Sequence, residues 1–254
     1  MADRVEPVHM EPVHPPGTFA EVEPLPTTPF EPYAATSMLN VSMTVLAGPR
    51  GSGKTTKVFD LVQRLVGAYA ERGRDDVATV VFTPVGVGYG DLPVRTVFDA
   101  HWLEQQMRQR GRDSSPLILV LDEVADRVFL QSSIARALFF NARHLRMHVL
   151  VTLQNVRDLC RRLRPCVDVY MLVNSWNVSV VLHDCFPIAD LGLVRDMLRT
   201  LRRHEMLVSV VDRGRVMVYH SIPREDGAHE PVHAPVPVRV LIPAQDAPDM
   251  PPHA

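Results

Sequence analysis

Lysine is nearly absent from this 254-residue chain: of its 27 basic residues only Lys54 and Lys57 are lysine, and the rest are arginine. Such a bias is the usual mark of a GC-rich genome, and it makes a lysine at a chemically demanding position more informative. Cysteine is equally sparse. Cys160, Cys166 and Cys185 make an odd count with no CxxC pair, which excludes a disulfide framework or a paired-cysteine zinc site and points to a reducing compartment. No apolar run approaches the roughly 18–20 residues a membrane-crossing helix needs. The opening MADRVEPVHMEPVHPP has no apolar core of the kind a secretory signal requires, so none is expected.

Charge and proline are present in quantity but unevenly placed. The net charge is −2, yet residues 1–42 carry six acids against one arginine, and residues 223–254 carry five acids against two. The middle is therefore net basic, a weak pointer to a polyanionic partner. Eight of the 22 prolines fall in residues 1–32 and eight more in 223–254, and EPVH occurs three times, at Glu6–His9, Glu11–His14 and Glu230–His233. Such segments bury too little apolar surface to offset their ordering entropy. The expected organisation is an acidic, proline-rich tail over 1–41, one domain over 42–222, and a second proline-rich tail over 223–254. A metal-binding role for the histidine-bearing repeat is the lesser expectation beside a linker.

Between the tails, strand and helix patterns alternate. Continuous apolar runs predict strands at Met43–Ala47, Ala78–Phe82, Val94–Phe98, Leu117–Leu121, His148–Gln154 and Val167–Val173. Helical spacing predicts helices at Lys54–Tyr69, His101–Arg110, within Ala125–Arg143, at Val156–Leu163 and at Leu191–Arg203. Leu207–Val211 and Val216–His220 flank Asp212-Arg213-Gly214, a hairpin signal. Apolar strands alternating with helices imply an α/β fold with a mainly parallel central sheet covered on both faces, plus a C-terminal β-hairpin and disordered tails.

The first strand runs into Gly48-Pro49-Arg50-Gly51-Ser52-Gly53-Lys54-Thr55-Thr56, which satisfies G-x-x-x-x-G-K-[ST] between a strand and an amphipathic helix. Glycines let backbone N–H groups turn inward around a β-phosphate, and the helix N-terminus adds positive potential. Lys54 reaches the β- and γ-phosphates, and the Thr55 hydroxyl is placed for Mg²⁺. Such a loop binds ATP or another nucleotide and does not choose among a motor, a kinase and a switch.

The strand LILVL runs directly into Asp122-Glu123. Asp122 there holds Mg²⁺ through water, and Glu123 can polarise the attacking water as general base. An acidic pair favours ATP hydrolysis over a signalling GTPase. Gln154, at the carboxyl end of another predicted strand, is placed to sense the γ-phosphate or orient water.

The stretch LFFNARHLRMHVLVTLQ (Leu138–Gln154), following LILVLDEVAD, resembles the poxvirus-type genome-packaging ATPases of large eukaryotic DNA viruses, within the FtsK–HerA superfamily. Their pattern is an acid-bearing strand, a helical stretch, then a GRH segment leading into an apolar strand that ends in Gln. Here the segment reads Asn141-Ala142-Arg143-His144, with Ala in the glycine position. The likeness covers roughly residues 42–200. It implies a RecA-like P-loop ATPase that forms a homo-oligomeric ring of five or six subunits and drives double-stranded DNA into a capsid. Capsid or portal proteins are then its partners, with no membrane, and the host cytoplasm, viral assembly site or virion its location. In such rings a neighbour's arginine completes the site; Arg143 is the candidate, with Arg146 and Arg127 in reserve. Arg195, Arg199 and Arg202 on one predicted helix, or Arg161, Arg162 and Arg164, are alternative DNA-tracking clusters beside the plainer reading of solvated faces.

Two other readings stay open on sequence alone. GPRGSGKTT is similar to the loops of thymidine-kinase-type nucleoside kinases, although the paired CxxC motifs of their zinc ribbon are missing. The chain also fits another DNA-translocating ATPase.

Overall fold

The computed structural model describes residues 39–86, 88–173, 182–185, 191–201, 205–210 and 215–220. The proline-rich ends, the EPVH repeats, the turn of the predicted hairpin and Arg202 lie outside them.

Among the described residues eight strands form one sheet: β1 (Met43–Ala47), β2 (Ala78–Phe82), β3 (Val94–Arg95), β4 (Leu117–Asp122), β5 (Met147–Leu153), β6 (Val169–Leu172), β7 (Glu205–Val210) and β8 (Arg215–His220). Their order is β3-β2-β4-β5-β1-β6-β7-β8. The first six are parallel; β7 then pairs antiparallel with β6, and β8 antiparallel with β7. The helices are α1 (Lys54–Ala70), α2 (Ala100–Gln109), α3 (Arg127–Gln131), α4 (Ser133–Asn141), α5 (Leu182–Cys185) and α6 (Leu191–Thr200).

Strand alternation divides the core into two layers. On β4, Leu117, Leu119 and Leu121 face one side and Ile118 and Val120 the other, as the two-residue period of a strand requires. The second side is covered by α1 through Val58, Leu61, Val62 and Leu65. The first is covered by Leu103 of α2, Phe129 and Leu130 of α3, Leu138 of α4, and Val194 and Leu198 of α6. Both faces of β4 are buried along its whole length, which is why its sequence is continuously apolar.

Local capping fixes where the first-side helices begin. The Trp102 N–H donates to Asp99 Oδ1 (2.8 Å), Phe129 N–H to Asp126 Oδ1 (2.7 Å) and Ala135 N–H to Ser132 Oγ (3.1 Å). Helix α1 differs. It starts at Gly53, in the left-handed region at φ 84, with no side-chain cap on its first turn.

Two predicted elements are corrected. The segment expected as a helix at Val156–Leu163 holds only the 3₁₀ turn Val156–Asp158. The Asn155 carboxamide oxygen accepts from the Arg157 N–H (2.9 Å), a side-chain bond that competes with helix continuation. Val156, Leu159 and Leu163 are all buried, so their helical spacing reflects anchoring of a crossover loop. The strand expected at Val94–Phe98 stops at Arg95. Phe98 is drawn instead into edge contacts with Phe82 (5.3 Å between centroids) and Phe129 (4.8 Å).

Candidate functional site

β5 lies between β1 and β4, so three adjacent strand ends converge at the carboxyl edge of the sheet. β1 supplies the phosphate loop, β4 the acidic pair, and β5 a threonine that bonds both members of that pair. Ligands of parallel α/β sheets gather at this edge.

The loop is held tightly at its base. The Gly48 N–H donates to the Leu153 carbonyl (3.1 Å), and a side chain at 48 would place its Cβ 2.8 Å from the Val173 carbonyl oxygen. Gly51 (φ 72) and Gly53 (φ 84) take backbone conformations that favour glycine. Lys54, 4% exposed, donates from Nζ to the carbonyls of Gly48 (3.0 Å) and Pro49 (3.1 Å) and lies 3.4 Å from Glu123 Oε1. Ser52 Oγ is buried with no hydrogen-bond partner among the described residues. A phosphate oxygen seated in the loop supplies what that hydroxyl and the uncapped α1 terminus lack. Pro49, Arg50 and Gly51 form the exposed rim, and Thr56 lies half-buried in the first helical turn.

Three hydroxyls converge on Asp122, itself 2% exposed. Thr55 Oγ1 donates to Oδ2 (2.9 Å), Tyr89 Oη to the same Oδ2 (2.8 Å), and Thr152 Oγ1 to Oδ1 (2.6 Å). These donors occupy three of the carboxylate's lone-pair positions. Burial, then the Asp122 charge, raises the Tyr89 phenol well above its usual range, so it stays a donor. Thr152 also accepts from the Glu123 N–H (2.9 Å). That bond holds Glu123 at φ 56, in the left-handed region, with its carboxylate toward Lys54.

The Thr55–Asp122 pair suits Mg²⁺. Among the described residues no cluster of three or more His, Cys, Asp or Glu side chains is set to hold a metal. A hydroxyl and one carboxylate beside a phosphate cradle match the way Mg²⁺ is held, where substrate phosphates and water complete the coordination.

The structure thus brings Gly48–Thr56, Asp122 and Glu123 together, with Gln154 exposed one residue past the β5 end that supports Gly48. It does not bring Arg143 there. Arg143 lies between α4 and β5, at the opposite edge of the sheet, where its guanidinium pairs with Asp168 Oδ1 (3.0 Å). Asp168 Oδ2 in turn accepts from the N–H groups of Ser42 (2.7 Å) and Met43 (2.9 Å) at the start of β1. Five residues of strand, on the order of 15 Å, separate that edge from the phosphate loop. Arg146 shares this far edge, whereas Arg127 opens α3 four residues beyond Glu123 and is exposed. Of the arginine clusters, Arg161, Arg162, Arg195 and Arg199 are exposed. Arg164 is not part of an open face: it pairs with Asp184 (2.6 Å) and donates to the Leu159 carbonyl (3.1 Å).

Sequence reasoning missed Tyr89 and Thr152. Thr152 had a faint signal, a hydroxyl beside the end of an apolar strand. Tyr89 had one in hindsight, a lone aromatic within Gly86–Gly90, because glycines on either side let the backbone approach α1. A Cβ on Gly88 would stand 3.1 Å from Thr55 Cγ2, and one on Gly90 would stand 3.5 Å from the Phe59 ring.

No protein-family profile matches the chain, and no curated protein does. Solved structures share its fold. The genome-packaging NTPase B204 of Sulfolobus turreted icosahedral virus 2, in complex with ATP-gammaS, superposes with a TM-score of 0.52 at 11% identity, covering 71% of this chain and 97% of that one. B204 described as the DNA-packaging ATPase of Sulfolobus turreted icosahedral virus gives 0.53 at 12% identity, covering 71% and 98%. The cytoplasmic domain of the Thermomonospora curvata type VII secretion ATPase EccC gives 0.51 at 14% identity, covering 74% of this chain and 26% of that one. The chain therefore has the fold of P-loop ATPases, a mainly parallel sheet flanked by helices.

Proposed function

We propose that this chain is an ATP-driven motor that moves double-stranded DNA into a viral capsid. The observation that carries the ATPase half is the meeting of Lys54, Thr55, Asp122 and Glu123 at one edge of the sheet, joined by contacts of 2.9–3.4 Å. The DNA-packaging half is supported by the Leu138–Gln154 resemblance to poxvirus-type packaging enzymes and by the fold shared with B204.

ATP enters with its β-phosphate on the N–H groups of residues 51–55. Lys54 exchanges its loop-carbonyl bonds for the β- and γ-phosphate oxygens. Mg²⁺, when bound, neutralises charge on the transferring phosphoryl group. Asp122 and Thr55 hold that ion's position, while Glu123 accepts a proton from the attacking water and Gln154 orients that water. In a ring, an arginine from a neighbouring copy stabilises the transition-state charge. Arg143, far from its own chain's site, serves there only in trans.

ATP turnover with and without double-stranded DNA tests the reading. Glu123→Gln should lower kcat by about 10²–10⁴-fold and keep ATP binding, while Lys54→Ala loses binding. Equal turnover in the native chain and Glu123→Gln overturns the assigned base. Phosphorylated nucleoside as product would identify a kinase, and turnover indifferent to DNA would indicate a motor for another polymer.

A further inference from the structure

The loop between β2 and β3 delivers one side chain to the acidic centre of the site. Tyr89 is 1% exposed, and its hydroxyl donates to Asp122 Oδ2 at 2.8 Å, the same oxygen that accepts from Thr55. Its ring packs edge-on against Phe59 of α1 (6.4 Å between centroids). The backbone around it is committed to that approach: Gly88 (φ 97) and Gly90 (φ 54) flank it in the left-handed region, and Leu92 N–H closes a turn onto the Tyr89 carbonyl (3.1 Å).

We infer that Tyr89 is a positioning residue for the metal-holding carboxylate of Asp122. The inference rests on the ATP–Mg²⁺ reading above. A carboxylate offers about four lone-pair positions. The hydroxyls of Thr55 and Tyr89 take both positions on Oδ2 and that of Thr152 takes one on Oδ1, leaving one position on Oδ1 without a donor among the described residues. Tyr89 thereby fixes the rotation of the carboxylate, so that the remaining lone pair meets metal-bound water without reorientation. Outer-shell partners of metal-holding groups typically change metal affinity by about 10–100-fold when removed.

The test separates metal from nucleotide. In Tyr89→Phe the ring and its packing are kept and only the hydroxyl is lost. A fluorescent ATP analogue is titrated without metal, and Mg²⁺ is then titrated into the nucleotide-loaded protein. The expected result is unchanged metal-free affinity with a Mg²⁺ midpoint raised about tenfold. A midpoint within twofold of the native chain overturns the inference, as does an equal loss in both titrations, which marks a merely structural role. Failure of the native chain to bind the analogue at all refutes the ATP reading instead. Should Tyr89→Phe fold poorly, a single 3-fluorotyrosine at position 89 gives a second measurement. Its fluorine resonance should move when Mg²⁺ is added to the nucleotide-loaded protein, and a resonance that stays still overturns the inference.

Discussion

Replacing Thr152 with valine removes one hydroxyl while keeping shape, at a side chain 1% exposed. Two bonds go with it: donation to the Asp122 carboxylate at 2.6 Å and acceptance from the Glu123 N–H at 2.9 Å. A hydrogen bond to a charged group contributes about 1.5–3 kcal/mol, and a partly buried N–H left unpaired adds further cost. Added methyl burial offsets some of this, so the net loss should be about 2–3 kcal/mol. For a domain of this size that lowers Tm by roughly 5–10 °C. The effect on turnover has a separate origin. Glu123 sits at φ 56, a conformation costing about 1–3 kcal/mol that the Thr152 bond helps to hold. Once released, the backbone relaxes and the carboxylate leaves its place near Lys54. Misplacement of a reacting group by about 1 Å costs on the order of 10²-fold. Thermal melts and single-turnover ATP hydrolysis are the assays, with kcat expected to fall by about 10–100-fold. A Thr152→Val chain that melts within 1 °C of native and turns over at the native rate refutes both parts.

Gly48→Ala should abolish nucleotide binding, because its Cβ would meet the Val173 carbonyl at 2.8 Å and force the loop off its base; native affinity in calorimetry refutes this. Burial lowers the Lys57 ammonium from 10.5 to about 8, only partly offset by Asp60. Between those pH values the unfolded chain binds the extra proton, so stability falls as pH drops from 10.5 to about 8 and the full penalty, roughly 3 kcal/mol, applies below. Lys57→Met should therefore be the more stable chain at pH 7, with the gap closing toward pH 10.5 in denaturant titrations. Burial likewise lowers His148, held between Tyr69 Oη (2.6 Å) and the Val41 carbonyl (2.7 Å), so stability should fall as pH drops below 6.5. Proton NMR of its ring checks this, and a His148 titrating at or above 6.5 contradicts it. Arg143→Ala breaks an exposed pair whose acid keeps two backbone donors, so Tm should shift by the equivalent of less than about 1 kcal/mol.

The legible parts of the molecule were those whose signal is local. A buried parallel strand needs apolar residues on both faces, so LILVL could be read directly, and the phosphate loop needs glycine and lysine at fixed spacing. The acidic pair followed from its place at a strand end. What escaped depends on which strands become neighbours. Nothing near Thr152 in the chain shows that β5 is inserted between β1 and β4, and nothing near Tyr89 shows that its loop folds back onto α1. Arg143 shows the same limit. Its motif position was clear, but the opposite edge of the sheet, where Asp168 waits for it, is a property of the assembled fold. The Val156–Leu163 helix failed because helical spacing also arises where a loop drops three apolar anchors onto a core.

The clamp at the start of β1 has a mechanical consequence. Asp168 grips the Ser42 and Met43 N–H groups, and His148 grips the Val41 carbonyl, just ahead of β1. β1 is bonded to parallel neighbours on both sides, β5 and β6. A pull on the chain at residue 41, directed along the strand, loads those two ladders in shear, so their bonds share the force instead of opening one at a time. After the five residues of β1 the chain becomes the phosphate loop. The nucleotide cradle is thus mounted on a strand tied on both sides, and a pull applied at residue 41 meets that anchorage before it reaches the cradle.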